Sequence, residues 1–155
     1  MFVSVSRWSA WLFPLTYALH VTEEHLLGFP AWLGSQFGVP LSPRDFLVLN
    51  AFGFALMSLA ISVAFNDSRR YAWLYIGLAS TLLLNAVTHL AACVLTWSYS
   101  PGTVSAFLLW APMSIVVFRR CAPMLAGWRL AASVFGGFLV HVVVWITPVF
   151  IQAAG

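Results

Sequence analysis

The chain has 155 residues, of which 62% are hydrophobic and only 7% are charged. Its mean hydropathy of +0.94 is typical of an integral membrane protein and excludes an ordinary soluble domain. The chain has seven basic and four acidic residues. Because the basic residues are scattered among loops, we expect no nucleic-acid partner. This length predicts one transmembrane helical domain over residues 1–155.

Five apolar stretches approach the length of about 20 residues that a helix needs to cross a bilayer core. They predict an all-α fold, a polytopic transmembrane helix bundle of about five spans. Turn-forming residues, such as those of Asn66-Asp67-Ser68, separate the stretches. The predicted spans are residues 8–29, 45–65, 71–97, 103–118 and 128–151.

The first span contains the run His20-Val21-Thr22-Glu23-Glu24-His25. A charged side chain at the membrane centre costs about 2.5–3.5 kcal/mol on insertion scales, so an intramembrane cluster predicts a functional site. Arg7 before an apolar run also resembles a signal peptide. However, Pro14 and the acidic cluster favour a retained first span.

Residues 30–43 contain bulky apolar side chains between glycines and prolines. This pattern predicts a small lid that lies along the membrane interface. Ser42 is expected to cap the second span, with Asp45 in its positive first turn.

The arginines predict the orientation of the bundle, because cytoplasmic loops are enriched in basic residues. Arg69 and Arg70 lie between spans two and three, and Arg119, Arg120 and Arg129 lie between spans four and five. Arg7 falls on the same side, and only Arg44 falls on the other. We therefore expect the N-terminus inside and the C-terminus outside, in a bacterial inner (plasma) membrane.

Four of the five spans carry polar side chains at a similar depth, in the outer half of the membrane, on a rise of about 1.5 Å per residue. Residues three and four positions apart share a helix face, so His20 lies with Glu23 and Glu24. Asn85 and His89 form a similar pair. The predicted polar layer consists of His20, Glu24, Asn50, Asn85, His89 and His141.

Imidazole and carboxylate groups are the usual protein ligands of zinc and non-haem iron. A carboxylate beside such a metal can also act as a general base. We interpret His20, Glu24, His89 and His141 as candidate ligands of a divalent metal, zinc or iron. Glu23 and Glu24 are the candidate catalytic carboxylates, and His25, Asn50 and Asn85 are candidates for supporting the ligands or binding substrate.

A structural interpretation is the alternative. In it, Glu23 and Glu24 sit at an outer opening, protonated or paired with Arg44, while the histidines donate to backbone carbonyls. The spacing fits neither H-E-x-x-H nor H-x-x-E-H of zinc proteases. The E-x-x-H pattern of di-iron bundles is also absent.

The motif His20-x-x-Glu23-Glu24 resembles that of the HXXEE-domain family of small bacterial membrane proteins. Asn50 with Gly53, Asn85 with His89, and the turn Ser100-Pro101-Gly102-Thr103 before an apolar helix with Pro112 are further similar elements. This resemblance implies a small polytopic bundle whose biochemical role is largely unassigned.

The leading hypothesis is a metal-dependent membrane enzyme that acts on a lipid or another lipophilic small molecule. Hydrolysis is the simplest reaction, with oxidation or isomerisation as variants. A proton-coupled transporter and a membrane subunit that binds a ligand or cofactor are the alternatives. A homo-oligomer is compatible with the sequence.

Overall fold

The computed structural model describes residues 8–154, which are helical apart from short connections. Arg7, one of the residues used to predict orientation, lies outside this range. A 3₁₀ turn at Trp8–Trp11 precedes the first helix. The helices are α1 (Leu12–Leu26), α2 (Phe29–Phe37), α3 (Pro43–Ala64), α4 (Ala72–Thr96), α5 (Thr103–Met124) and α6 (Gly127–Ala154).

The predicted all-α membrane bundle is confirmed. Helices α3, α4, α5 and α6 are each long and apolar enough to cross a bilayer. Large apolar side chains such as Phe52, Leu95 and Phe107 are exposed on them. In water this surface would be unfavourable, whereas lipid solvates it. The protein is therefore a membrane protein, with four candidate spanning helices in the part of the chain that the structure describes.

The first predicted span differs from the helix that forms. Helix α1 has 15 residues, fewer than the roughly 20 that span a bilayer core. It ends where Gly28 adopts a left-handed conformation with φ of 75°. The predicted lid is then a separate nine-residue helix, α2. Ser42 caps α3 as expected, because its side chain accepts a hydrogen bond from the Asp45 backbone N–H.

The fourth predicted span is longer than expected. The predicted span ended at Phe118, whereas α5 continues to Met124. Arg119 and Arg120 are exposed on its last turns, where long basic side chains can reach the polar interface. Within α5, Ala106–Trp110 is π-helical, a local geometry that is frequent at functional sites.

Helix α4 lies at the centre of the bundle and packs against both α5 and α6, while α1 packs against α3. Close packing of α4 on α6 depends on glycine. A Cβ atom at Gly137 would stand 2.7 Å from the Ser80 Cβ and would also collide with the Gly77 carbonyl oxygen. The Thr81 hydroxyl donates to the Gly137 carbonyl across this contact at 3.0 Å.

Substitution of Gly137 by Ala is expected to lower the melting temperature, because the added methyl group forces α4 and α6 apart. Overpacking of this kind costs about 1–3 kcal/mol. Gly136→Ala is the matched control, since a Cβ there meets nothing within 4 Å. Thermal unfolding in detergent measures the difference. Equal melting temperatures for the two variants would contradict the close contact.

Candidate metal centre

Three polar side chains meet between α1 and α4 in the otherwise apolar bundle. His20 and Glu24 lie one turn apart on α1, and His89 comes from α4. The Nε2 atoms of His20 and His89 lie 3.5 and 3.4 Å from the same Glu24 oxygen, Oε1. Their exposed fractions are 2%, 3% and 6% for His20, His89 and Glu24. We call these three residues the His–Glu cluster.

Serine hydroxyls hold the other nitrogen of each histidine. His20 Nδ1 lies 3.0 Å from the Ser105 Oγ, and His89 Nδ1 lies 2.9 Å from the Ser100 Oγ. The Ser105 hydroxyl donates to the Gly102 carbonyl at 3.2 Å. The other ring nitrogen of His20, Nε2, faces Glu24 at 3.5 Å and is buried without a hydrogen-bond partner.

Ser100 lies in the connection between α4 and α5, and Ser105 lies in the first turn of α5. At Gly102 the backbone has φ of 100°, a conformation that favours glycine. A Cβ there would stand 2.8 to 2.9 Å from carbon atoms of His20, Glu24 and His89. The turn therefore lies directly on the His–Glu cluster, and only a glycine permits this approach.

Aromatic rings cover two further sides of the cluster. The ring centroids of His20 and Trp110 are 3.9 Å apart, and those of His89 and Phe29 are 5.8 Å apart. Trp110 ends the π-helical segment of α5 and donates from its indole nitrogen to the Thr16 hydroxyl. Helix α2, which begins at Phe29, is joined to the turn by a hydrogen bond from the Trp32 indole to the Ser98 hydroxyl.

Glu23 points away from the cluster and holds the start of α5. Its Oε2 accepts the Ser105 backbone N–H at 2.8 Å, and its Oε1 accepts the backbone N–H groups of Gly102 and Val104 at 3.2 Å. The first N–H groups of a helix have no partner within it, and a negative charge there is favourable. Glu23 thus acts as a capping residue supplied by another helix.

The Tyr99 hydroxyl also donates to the Glu23 carboxylate. Burial and the hydrogen bond to Glu23 raise the pKa of Tyr99, in the connection before α5, to about 12. The phenol therefore stays protonated at neutral pH and remains a donor.

His25 and Asn50 lie outside the cluster. His25 is exposed, and its ring is stacked with that of Phe46 at a centroid distance of 6.4 Å. Asn50 accepts a hydrogen bond of 2.8 Å from the hydroxyl of Tyr17, whose ring stacks on Trp110. Asn50 is therefore linked to the His–Glu cluster through the rings of Tyr17 and Trp110.

His141 also lies outside the cluster, although the sequence placed it at the same depth. Its Nε2 is 3.0 Å from the Thr88 Oγ1, between α4 and α6. The group of nearby ligand atoms within the described residues contains His20, Glu24 and His89 alone, all within 4.8 Å of one another. Asn85 lies one turn before His89 on α4, and its buried side-chain oxygen has no hydrogen-bond partner. The depth of a residue gives only the height of its side chain in the membrane, not its direction around the helix. His141, on α6, contacts the side of α4 that carries Thr88.

The sequence analysis missed several residues that build the site. No role was predicted for the aromatic and serine side chains that contact the His–Glu cluster. The turn Ser100-Pro101-Gly102-Thr103 was the available signal, because the family resemblance contains it. The residues missed are Tyr99, Ser100, Gly102, Ser105 and Trp110.

The fold and the cluster define a polytopic helical membrane protein with a buried group of two histidines and one glutamate. A family described as "Protein of unknown function with HXXEE motif" matches residues 11–117, which is more than half of the chain. The chain therefore belongs to the HXXEE family. All three cluster residues lie within the matched segment, and His141 lies beyond it.

A relative in Bacillus subtilis (strain 168), named "Uncharacterized protein YrkK", is 28% identical over 131 residues. The alignment covers 76% of this chain and 77% of that protein. No solved structure matches the chain.

Proposed function

We propose that the His–Glu cluster binds one divalent metal ion through His20 Nε2, His89 Nε2 and Glu24. The convergence of the three side chains carries this proposal. The Nε2 atoms of His20 and His89 lie 3.5 and 3.4 Å from the same Glu24 oxygen in a buried place, and His20 Nε2 has no hydrogen-bond partner. A cation between these atoms would satisfy all three groups.

The distances support a metal of tetrahedral geometry. Zinc bonds of about 2.0–2.1 Å place two ligand atoms of a tetrahedron about 3.4 Å apart. The two histidine nitrogens lie 3.5 and 3.4 Å from the Glu24 oxygen. Ser100 and Ser105 hold the second nitrogen of each imidazole, as is usual for metal-binding histidines.

The ligand set favours a catalytic site over a structural one. Structural zinc sites use four protein ligands, whereas catalytic sites use three and leave one position for water or substrate. Two histidines and one carboxylate also suit non-haem iron. A metal in such a site supplies a Lewis acid that activates water or polarises a carbonyl.

We infer a hydrolase-type reaction on a lipophilic substrate, with oxidation or isomerisation if the metal is iron. The cluster lies inside an apolar bundle, so lipid is the natural source of substrate. Trp110 and Phe29 pack on the histidines and limit access of bulk water. A bacterial inner membrane is the location that we propose.

Metal analysis of the protein purified from membranes tests the metal site. We expect about one zinc or iron ion per chain in the wild type and a loss of most of it in His89→Ala. His25→Ala and His141→Ala are matched controls that should keep the metal, because both residues lie outside the cluster. Metal-free wild type after metal-supplemented expression, or equal loss from the controls, would contradict the proposal.

The reaction is tested by incubating the metal-loaded protein with membrane lipid extracts and comparing the lipids by mass spectrometry. Wild type should release products that His89→Ala does not. Proton-coupled flux in liposomes that persists without metal and disappears in Glu24→Gln would instead support a transporter.

A further inference from the structure

Five of the six arginines in the described part of the chain lie at one end of the helix bundle. At this end α3 finishes and α4 begins. The Tyr75 hydroxyl, near the start of α4, donates to the Ala64 carbonyl at the end of α3 at 3.5 Å, so the connection between these helices lies here. We call this surface the arginine end, and its arginines are Arg69, Arg70, Arg119, Arg120 and Arg129.

Helix α5 finishes at the arginine end because it runs antiparallel to α4. Before α5 begins, Ser100 contacts His89 of α4 at 2.9 Å. Further along α5, the Ser114 hydroxyl donates to the Ala79 carbonyl of α4 at 2.9 Å. Later residues of α5 therefore lie beside earlier residues of α4, and the arginines of its last turns are level with the start of α4.

Helix α6 begins at the same end because it runs parallel to α4. The Thr81 hydroxyl donates to the Gly137 carbonyl at 3.0 Å, and Thr88 contacts His141, also at 3.0 Å. Later residues of α6 thus lie beside later residues of α4. Arg129 is in the first turn of α6, so it belongs to the arginine end.

The positive charge of the arginine end is not neutralised by the protein. All five arginines are exposed, and none of them forms an ion pair with a carboxylate in the part of the chain that the structure describes. Asp67, in the connection between α3 and α4, accepts the backbone N–H of Arg70 at 2.9 Å. Five arginines and this one aspartate leave an excess of positive charge that attracts an anionic partner.

Two of the guanidinium groups lie over aromatic rings. The Cζ atom of Arg70 is 5.8 Å from the centre of the Tyr71 ring, and that of Arg129 is 5.5 Å from the centre of the Trp128 ring. A guanidinium group over a ring keeps the N–H donors along its edge available. These donors fit two oxygens of one phosphate, which is why arginine is frequent in phosphate-binding sites.

Exposed apolar side chains lie one helix turn before two of the arginines. Ile115 and Val116 are exposed and precede Arg119 and Arg120 by four residues on α5, so each shares a face with one arginine. A partner that contacts both kinds of side chain needs a negatively charged group and a hydrocarbon chain. An anionic phospholipid has both, whereas a soluble polyanion has only the first.

We propose that the arginine end binds the headgroups of anionic phospholipids, with their acyl chains along the apolar surface of α5. The enrichment of arginine in cytoplasmic loops predicts only the orientation of a membrane protein. Direct binding of the headgroup is a separate property of this surface. It involves no residue of the His–Glu cluster, so it does not depend on the proposed function.

Native mass spectrometry of the full-length protein, released from detergent micelles with added lipid, tests the proposal. The probes are dioleoyl phosphatidylglycerol and dioleoyl phosphatidylcholine, which have the same acyl chains but differ in net charge. If two arginines contact one headgroup, the wild type should bind the anionic lipid about 25-fold more tightly, at about fivefold for each arginine. Salt in the micelle solution should reduce this preference by screening the charges. Equal affinities for the two lipids would overturn the proposal.

Arg120→Gln provides the variant arm. It should weaken the binding of phosphatidylglycerol about fivefold and leave that of phosphatidylcholine unchanged. Arg44→Gln is the matched control, because Arg44 is also exposed but lies at the start of α3, at the opposite end of the bundle. Both variants should unfold at the wild-type temperature, since neither side chain is buried. An equal effect of the two substitutions on phosphatidylglycerol binding would contradict a site at the arginine end.

Heparin, a soluble polyanion without acyl chains, is titrated as a third probe. A wild type that binds heparin but does not distinguish the two lipids would overturn the proposal and assign the surface to a soluble polyanion. Metal content has no part in these measurements. A metal-free wild type that prefers phosphatidylglycerol therefore overturns only the proposed function, and a metal-loaded one without this preference overturns only the lipid site.

Discussion

On the proposed metal site, Glu24→Gln is expected to abolish metal binding and any metal-dependent turnover while leaving the fold intact. The substitution keeps the size of the side chain but replaces a carboxylate by a neutral amide, which is a poor metal ligand. Because one oxygen of Glu24 faces both histidines, its replacement affects the whole ligand set. Metal analysis and thermal unfolding of the same preparation measure the two effects separately.

Glu23→Gln provides the contrast, since the two glutamates are neighbours in sequence and differ in position. Glu23 accepts backbone N–H groups at the start of α5, so its substitution should cost about 1–2 kcal/mol of stability, as loss of a helix cap does. We expect the metal to remain. A Glu23→Gln protein of normal stability that retains metal but loses turnover would instead support the catalytic role predicted from the sequence.

The helices could be predicted from the sequence because membrane spans leave a strong signal. Long apolar stretches and the breakers between them placed α3, α4 and α6 within two or three residues of the structure at most ends. Two features depend on contacts that composition does not encode. Helix α1 ends early, at Leu26, before the left-handed Gly28. Helix α5 continues past Arg119, because exposed arginines do not terminate a helix.

The cluster could be predicted only in part. Counting residues from the membrane surface predicted a common height for His20, Glu24 and His89, and these three side chains lie together. It could not give the direction that each side chain faces around its helix. The same count predicted this height for His141, whose ring contacts Thr88 instead. Glu23 and Glu24 differ by a rotation of about 100°, and this rotation separates a helix cap from a residue of the cluster.

The turn before α5 could not be derived from helix patterns, because its importance lies in a tertiary contact. Ser100 and Ser105 reach the two histidines only because the chain folds back over the cluster at Gly102. Glu23 and Tyr99 hold that fold by hydrogen bonds to backbone and carboxylate. The histidines are thereby oriented by residues that lie 11 to 85 positions away in sequence.

Gly102→Ala is expected to disrupt the cluster more than any other single added methyl group. The new Cβ would stand 2.8 Å from His20 Cε1 and 2.9 Å from both His89 Cε1 and Glu24 Cγ. All three side chains of the His–Glu cluster must then move, and a displacement of about 1 Å in a catalytic site can lower a rate about 100-fold. We therefore expect a large loss of metal affinity together with lower stability.

The Gly38→Ala variant distinguishes the effect of the steric contact at Gly102 from the effect of backbone strain. Gly38 also has a positive φ, of 67°, but a Cβ there meets nothing within 4 Å. Both variants should lose about 1–2 kcal/mol because alanine disfavours this conformation, and only Gly102→Ala should also lose metal. Metal titration and thermal unfolding of the two proteins measure these effects. If both bind metal as tightly as wild type, the turn does not lie against the ligands, and the cluster would have to be held in another way.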